Sequence, residues 1–195
     1  MTRTADISRT TNETDIRLSL ALDGAGGGTR STGVGFFDHL LDAVARHGGL
    51  DLDVQVQGDL ETGPHHTVED TGIALGQAID RALGDRSGIT RFGHAVVPMD
   101  EARAEAAIDI SGRPFTLFEA ELPPVAIGDF DSDLAEEFLR AVANNAKLTL
   151  HVSVRTGSNA HHMVEAAFKA FARALRAAVA ADPGAAGVPS TKGLL

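Results

Sequence analysis

Residues 36–56 and 134–154 can be laid on one another without a gap. The first segment reads FFDHLLDAVARHGGLDLDVQV and the second LAEEFLRAVANNAKLTLHVSV. Leu41 falls on Leu139, Ala43-Val44-Ala45 on Ala141-Val142-Ala143, Leu50 on Leu148 and Leu52 on Leu150. Each segment is a helical period followed by strand alternation, carried on by Val54 and Val56 in one copy and Val152 and Val154 in the other. Upstream, Ile16, Leu18, Leu20 and Leu22 alternate, as do Ala104, Ala106, Ile108 and Ile110, with Glu13 and Glu101 at matching places before them. A repeat of this length means a duplicated unit, and so two related halves.

Each half reads strand, strand, helix, strand, helix. The second helices run from about His65 to Leu83 and from about His161 to Ala180, stopped by Gly84 and by Asp182-Pro183-Gly184. The expected fold is α+β, each half a sheet with helices on one face, the halves related by a pseudo-two-fold axis. Residues 1–195 form a single domain, with halves at about 5–88 and 89–186 and a tail at 187–195. Duplication can serve stability alone, but stability does not explain why both copies lead into an identical histidine motif.

That motif is His-His-x-x-Glu: His65-His66-Thr67-Val68-Glu69 in the first half and His161-His162-Met163-Val164-Glu165 in the second. On a helix the Glu lies one turn beyond the pair, on a face the histidines can share. Adjacent residues are about 100° apart around the axis, so two neighbouring histidines do not easily grip one ion. The simplest arrangement divides each pair between two metal ions. His39 aligns with Glu137, both at a helix start, which makes them a candidate fourth pair of ligands. Glu137 is otherwise one more exposed acid beside Glu136. His151, aligned with Asp53 on a strand, is the competing donor, and the choice stays open.

This donor set is all nitrogen and oxygen. It suits Mn, Fe, Co or Zn, and the carboxylates favour an octahedral ion such as Mn²⁺. His-Glu-x-x-His, where two histidines four apart share one zinc, has a different order. Two ions flanking a neutral ring can act as Lewis acids and stabilise a developing ring anion, although metal-assisted hydrolysis would use similar ligands.

Composition narrows the classes further. Apolar residues are 43% of the chain, so it is globular; with nine Phe and no Trp or Tyr, Leu, Val, Ile and Ala must build the core. A net charge of −10 disfavours a nucleic-acid surface but permits a local Arg/Lys pocket for an anionic substrate. The absence of cysteine removes disulfides, Cys-zinc sites and thiol nucleophiles. Met1 to Arg9 lack an apolar signal region, and no run of about 18 apolar residues occurs. A cytoplasmic protein with no membrane role is expected.

Six segments together carry a family resemblance: FFDHLLDAVARHG, HHTVED, GDRSGITRFG, SGRPF, HHMVEAAFKAFARAL and PSTKGLL. The chain resembles imidazoleglycerol-phosphate dehydratase, an enzyme of histidine biosynthesis, from about Arg9 to Leu195. The resemblance implies a manganese-dependent lyase that converts D-erythro-imidazole-glycerol phosphate to imidazole-acetol phosphate, with two Mn²⁺ ions per active site. It implies a duplicated half like the second domain of ribosomal protein S5. It also implies a 24-mer with active sites between subunits. A fused phosphatase domain, present in some members, is not expected here.

Carried over by position, the implied metal ligands are His39, His65, His66, Glu69, His161, His162 and Glu165. Glu137 stands where His is frequent in the family. Thr62-Gly63-Pro64 replaces usually acidic residues, and Pro is compatible with a helix start. Glu13 and Glu165 are the implied catalytic carboxylates. Substrate contacts are implied for Glu13, His39, His47, His65, Glu69, Arg91, Arg113, His161, Glu165, Lys169, Ser190, Thr191 and Lys192, the tail folding over the phosphate. The implied chemistry removes the C2 proton and expels the C3 hydroxyl through a diazafulvene. Which group takes that proton stays open. Two readings compete with the lyase: a di-metal hydrolase of a phosphorylated metabolite, and a non-catalytic metal-binding assembly.

Overall fold

The computed structural model describes residues 3–184 and 187–195. The expected end of the second half, at 186, lies outside the described residues.

The first half contains β1 (Thr4–Thr10), β2 (Thr14–Ala21), β3 (Arg30–Ser31), α1 (Gly35–Gly48), β4 (Asp51–Gly58) and α2 (His65–Leu83). The second contains β5 (Phe92–Met99), β6 (Ala102–Asp109), β7 (Phe115–Glu119), β8 (Ala126–Ile127), β9 (Phe130–Asp131), α3 (Leu134–Ala146), β10 (Thr149–Thr156) and α4 (Ala160–Val179). The two four-stranded sheets have orders β1-β2-β4-β3 and β5-β6-β10-β7. In each the first three strands are antiparallel and the last pairs in parallel. One topology thus occurs twice, as the repeat requires.

The edge strands β3 and β7 and the small β8–β9 hairpin add to the expected elements. Arg30–Ser31 has no apolar residue to reveal a period. In β7 apolar side chains occupy both faces, so Phe115 and Leu117 turn outward and hide the alternation. The long strands behave simply: Ile16, Leu18 and Leu20 are buried, while Arg17 and Ser19 face outward.

The helices cover the inner faces of the sheets and meet across the halves. α2 packs on α3, and α1 on α4. This exchange is the one a two-fold relation produces. Gly72 and Gly76 let α2 approach closely: a Cβ at Gly76 would lie 2.6 Å from the Val142 carbonyl oxygen. α1 and α3 end alike, with Gly49 (φ 64°) and Lys147 (φ 56°) in the left-handed conformation at equivalent places. The core is mostly aliphatic, as expected, but five of the nine phenylalanines sit at its centre. Phe138 stacks on Phe168 at 5.2 Å and meets Phe37 edge-on at 5.3 Å, joining α1, α3 and α4.

Candidate active site

Two helix starts bring the first ligand cluster together. α1 begins after Thr32, whose backbone N–H and hydroxyl both donate to Asp38. This fixes the first turn, which carries His39. α4 begins at Asn159, whose side-chain oxygen accepts the His161 N–H at 3.0 Å. Because α1 packs on α4, His39 Nε2 lies 3.1 Å and His161 Nε2 3.0 Å from the same oxygen of Glu165. These three residues are the one group of three His or acidic side chains able to hold an ion among the described residues, with ligand atoms within 4.8 Å of one another. Phe36 packs against His161 at 4.7 Å and walls one side.

Glu165 is buried, and Lys169, one turn on, reaches its other oxygen at 2.6 Å. Burial pushes the Glu165 carboxyl up, but the bonds from Lys169 and His39 outweigh it and hold the group at about 2. His47, two turns beyond His39 on α1, is pushed down by burial and then by the positive Lys169 and Arg173.

The adjacent imidazoles diverge, as the helix period demands. The rings of His65 and His66 stand at 86°, those of His161 and His162 at 85°. His65 faces Glu69 at 3.7 Å. His66 turns to Asp59, with Glu13 3.7 Å from its Nε2. His162 turns to Glu101, with Asp100 3.8 Å from its Nε2. Asp59 and Glu101 thus contact the candidate ligands His66 and His162, which the motifs alone did not reveal. Glu101 was visible only as the repeat partner of Glu13; Asp59, from the loop before α2, left no signal in the spacing. The bond from His162 holds Glu101 at about 2, helped by the Asn159 and Ser158 N–H groups. His66 lowers Asp59 likewise, and each carboxylate raises its histidine.

Glu137 does not join His65 and Glu69 in a three-ligand group; it faces Arg140 at 3.8 Å. His151 lies on the outer face of its sheet beside Phe115, away from the helix layer. Pro64 sits at the cap position of α2, and the helix starts directly at His65.

The basic residues of the tail region gather elsewhere. Arg91 pairs with Asp109 through two bonds of 2.7 and 3.1 Å and donates to the Pro189 carbonyl at 2.8 Å. The Gly88 N–H donates to Gly187, and Leu195 ends against Gly112, next to Arg113. Ser190, Thr191 and Lys192 lie in this docked tail, where the Lys192 N–H donates to Ser190 Oγ at 3.2 Å. The Arg91 N–H donates to Ala178 near the end of α4. At about 1.5 Å per residue, that point is roughly 20 Å along the helix from Glu165. One chain therefore separates Arg91 and the tail from the ligand cluster, while Lys169 stays with the cluster.

The family profile of imidazoleglycerol-phosphate dehydratase matches residues 32–175. The chain belongs to the imidazoleglycerol-phosphate dehydratase family. It is 58% identical over 195 residues to the Moorella thermoacetica imidazoleglycerol-phosphate dehydratase, covering 100% of both chains. The Acidiphilium cryptum relative of the same name is 58% identical over 196 residues, again covering 100% of both. Among solved structures, the Staphylococcus aureus dehydratase superposes with a TM-score of 0.83 at 41% identity, over 91% of this chain and 99% of that one. The Pyrococcus furiosus enzyme, in complex with (S)-C348, gives 0.84 at 37% identity, over 97% and 100%. The chain is thus a hydro-lyase of this family, with dehydratase activity in histidine biosynthesis.

Proposed function

We propose that the chain dehydrates D-erythro-imidazole-glycerol phosphate to imidazole-acetol phosphate at a site with two Mn²⁺ ions. The convergence of His39, His161 and Glu165 carries this reading. Their nitrogen and oxygen donors suit a borderline or hard divalent ion, and Lys169 balances the buried carboxylate. When bound, the metal supplies Lewis acidity to a ring that must become anionic before the hydroxyl leaves. His65, His66, Glu69 and His162 are the remaining ligands, with Glu137 a weaker candidate. Glu13 is half exposed and makes no side-chain hydrogen bond among the described residues, so it is free to move a proton on the glycerol chain. Phe36 narrows the access of water to the ring-binding side.

The phosphate goes to Arg91, Arg113, Ser190, Thr191 and Lys192, with His47 and Lys169 along the path. Three carbons at about 1.5 Å per bond do not bridge the separation between this set and the ligand cluster. The working site is therefore shared between copies of the chain, consistent with a 24-mer. The outer face of the second sheet supports association: Phe92, Val96 and Phe115 are each more than half exposed, in contrast to the polar outer face of the first sheet. No described helix is long and apolar enough to cross a membrane; a cytoplasmic location goes with the pathway.

Incubation of Mn²⁺-loaded protein with imidazoleglycerol phosphate tests this function. Imidazole-acetol phosphate is expected. Release of inorganic phosphate would mean the hydrolase, and binding without turnover the storage assembly.

A further inference from the structure

We infer that Glu101 and Asp59 are positioning residues that set the tautomers of His162 and His66, leaving Nε2 of each ring as the atom that takes a metal ion. This inference rests on the two-metal reading of the site. His39 and His161 present Nε2 directly to Glu165, whereas His162 and His66 are each held from behind. Glu101 Oε2 lies 2.8 Å from His162 Nδ1. Both Asp59 oxygens lie near His66 Nδ1, at 3.1 and 3.0 Å. A carboxylate only accepts, so the neutral ring facing it carries its proton on Nδ1 and keeps its Nε2 lone pair free. On the Nε2 side stand Glu13 at 3.7 Å and Asp100 at 3.8 Å, beyond hydrogen-bonding distance.

The two halves reach this arrangement by different routes. In the first, the Nδ1 partner comes from the loop after β4. A register shift in β10 between Val154 and Thr156 brings Gly157 level with Gly58, so Ser158, which has no carboxylate, stands where Asp59 does. The second half thus has no acid at that place, and the β5–β6 hairpin supplies Glu101 instead. Asp100, its neighbour, takes φ 48° to make the turn, an uncommon conformation for a residue other than glycine. The exchange also divides the two glutamates by role. Glu13 and Glu101 are equivalent by repeat, but Glu101 is engaged and Glu13 is not, so only Glu13 is free to face substrate.

Glu101→Gln separates this role from a purely structural one. Glu101 Oε1 accepts the backbone N–H groups of Ser158 and Asn159 at 3.1 and 2.8 Å. A glutamine retains that acceptor and turns its amide N–H to His162 Nδ1, which moves the ring proton to Nε2. In ¹⁵N-histidine spectra of metal-free protein at alkaline pH, His162 should change from the Nδ1–H to the Nε2–H form. Mn²⁺ affinity should fall about 10- to 100-fold, with the metal-free melting temperature unchanged. Asp59→Asn can rotate its carbonyl oxygen onto Nδ1, so His66 should keep its tautomer and the affinity loss should be smaller. An unchanged His162 tautomer or unaltered Mn²⁺ affinity in Glu101→Gln overturns the inference. So does an affinity loss explained by lower stability of the metal-free variant. If the wild-type protein shows the Nδ1–H tautomers but takes up no Mn²⁺, the metal reading fails and the histidine contacts stand.

Discussion

The Glu165 carboxylate shows how one side chain can serve two demands. It is buried, which opposes its charge, yet two imidazoles and an ammonium converge on it. Removing its charge should leave His39 and His161 without a common anchor. Glu165→Gln should therefore lower Mn²⁺ uptake and turnover together, read by metal analysis beside product formation. A packing residue behaves differently. Phe138 is fully buried between Phe37 and Phe168, and Phe138→Ala should cost about 3–5 kcal/mol of stability in denaturant unfolding. Among single residues, the candidate ligand types were legible from their nitrogen and oxygen donors, and the divergence of adjacent histidines from the helical period. The partners Glu101 and Asp59 were not, because a hairpin tip and a loop bring them in from elements distant in sequence.

Among elements, the repeat made four helices and the long strands readable, because their alternation is set by burial on one face. The β3 and β7 edges escaped because neither has a one-sided pattern. Turn chemistry fills some of that gap. Asp51, at the start of β4, accepts the Ala25 and Gly27 N–H groups and pins the glycine-rich loop between β2 and β3. Those bonds lower its pKa below the usual carboxylate value. A depressed folded-state pKa contributes stability above the unfolded value and loses it as pH falls through the folded one. The difference in melting temperature between wild type and Asp51→Asn should therefore be widest at neutral pH and close on acidification below the carboxylate range. Close helix contact sets a second expectation for the elements. Gly76→Val should destabilise the α2–α3 packing through its clash with the Val142 carbonyl, seen as a lower unfolding midpoint.

For the whole molecule, the separation of the tail from the ligand cluster matters most. It was not legible in the sequence, where the phosphate and metal residues read as a single set; only the course of α4 shows that one chain keeps them apart. If sites are shared, His161→Ala and Arg91→Ala proteins should each be inactive. Assemblies formed after unfolding and mixing the two should recover about a quarter of wild-type activity, since some sites then combine intact sets. No recovery would place each site within one chain. The exposed apolar face of the second sheet sets a related expectation. Phe115→Asp should reduce assembly size in light scattering without unfolding the chain.

In the proposed function, the divided histidine pairs hold two ions that serve one dehydration site. Metal analysis of the assembled protein titrated with Mn²⁺, read alongside imidazole-acetol phosphate formation, decides whether they do. Binding should reach a plateau at two ions per chain, with activity absent from the metal-free protein and restored as the sites fill. A plateau at one ion with full activity, or turnover without metal, would contradict the two-ion site.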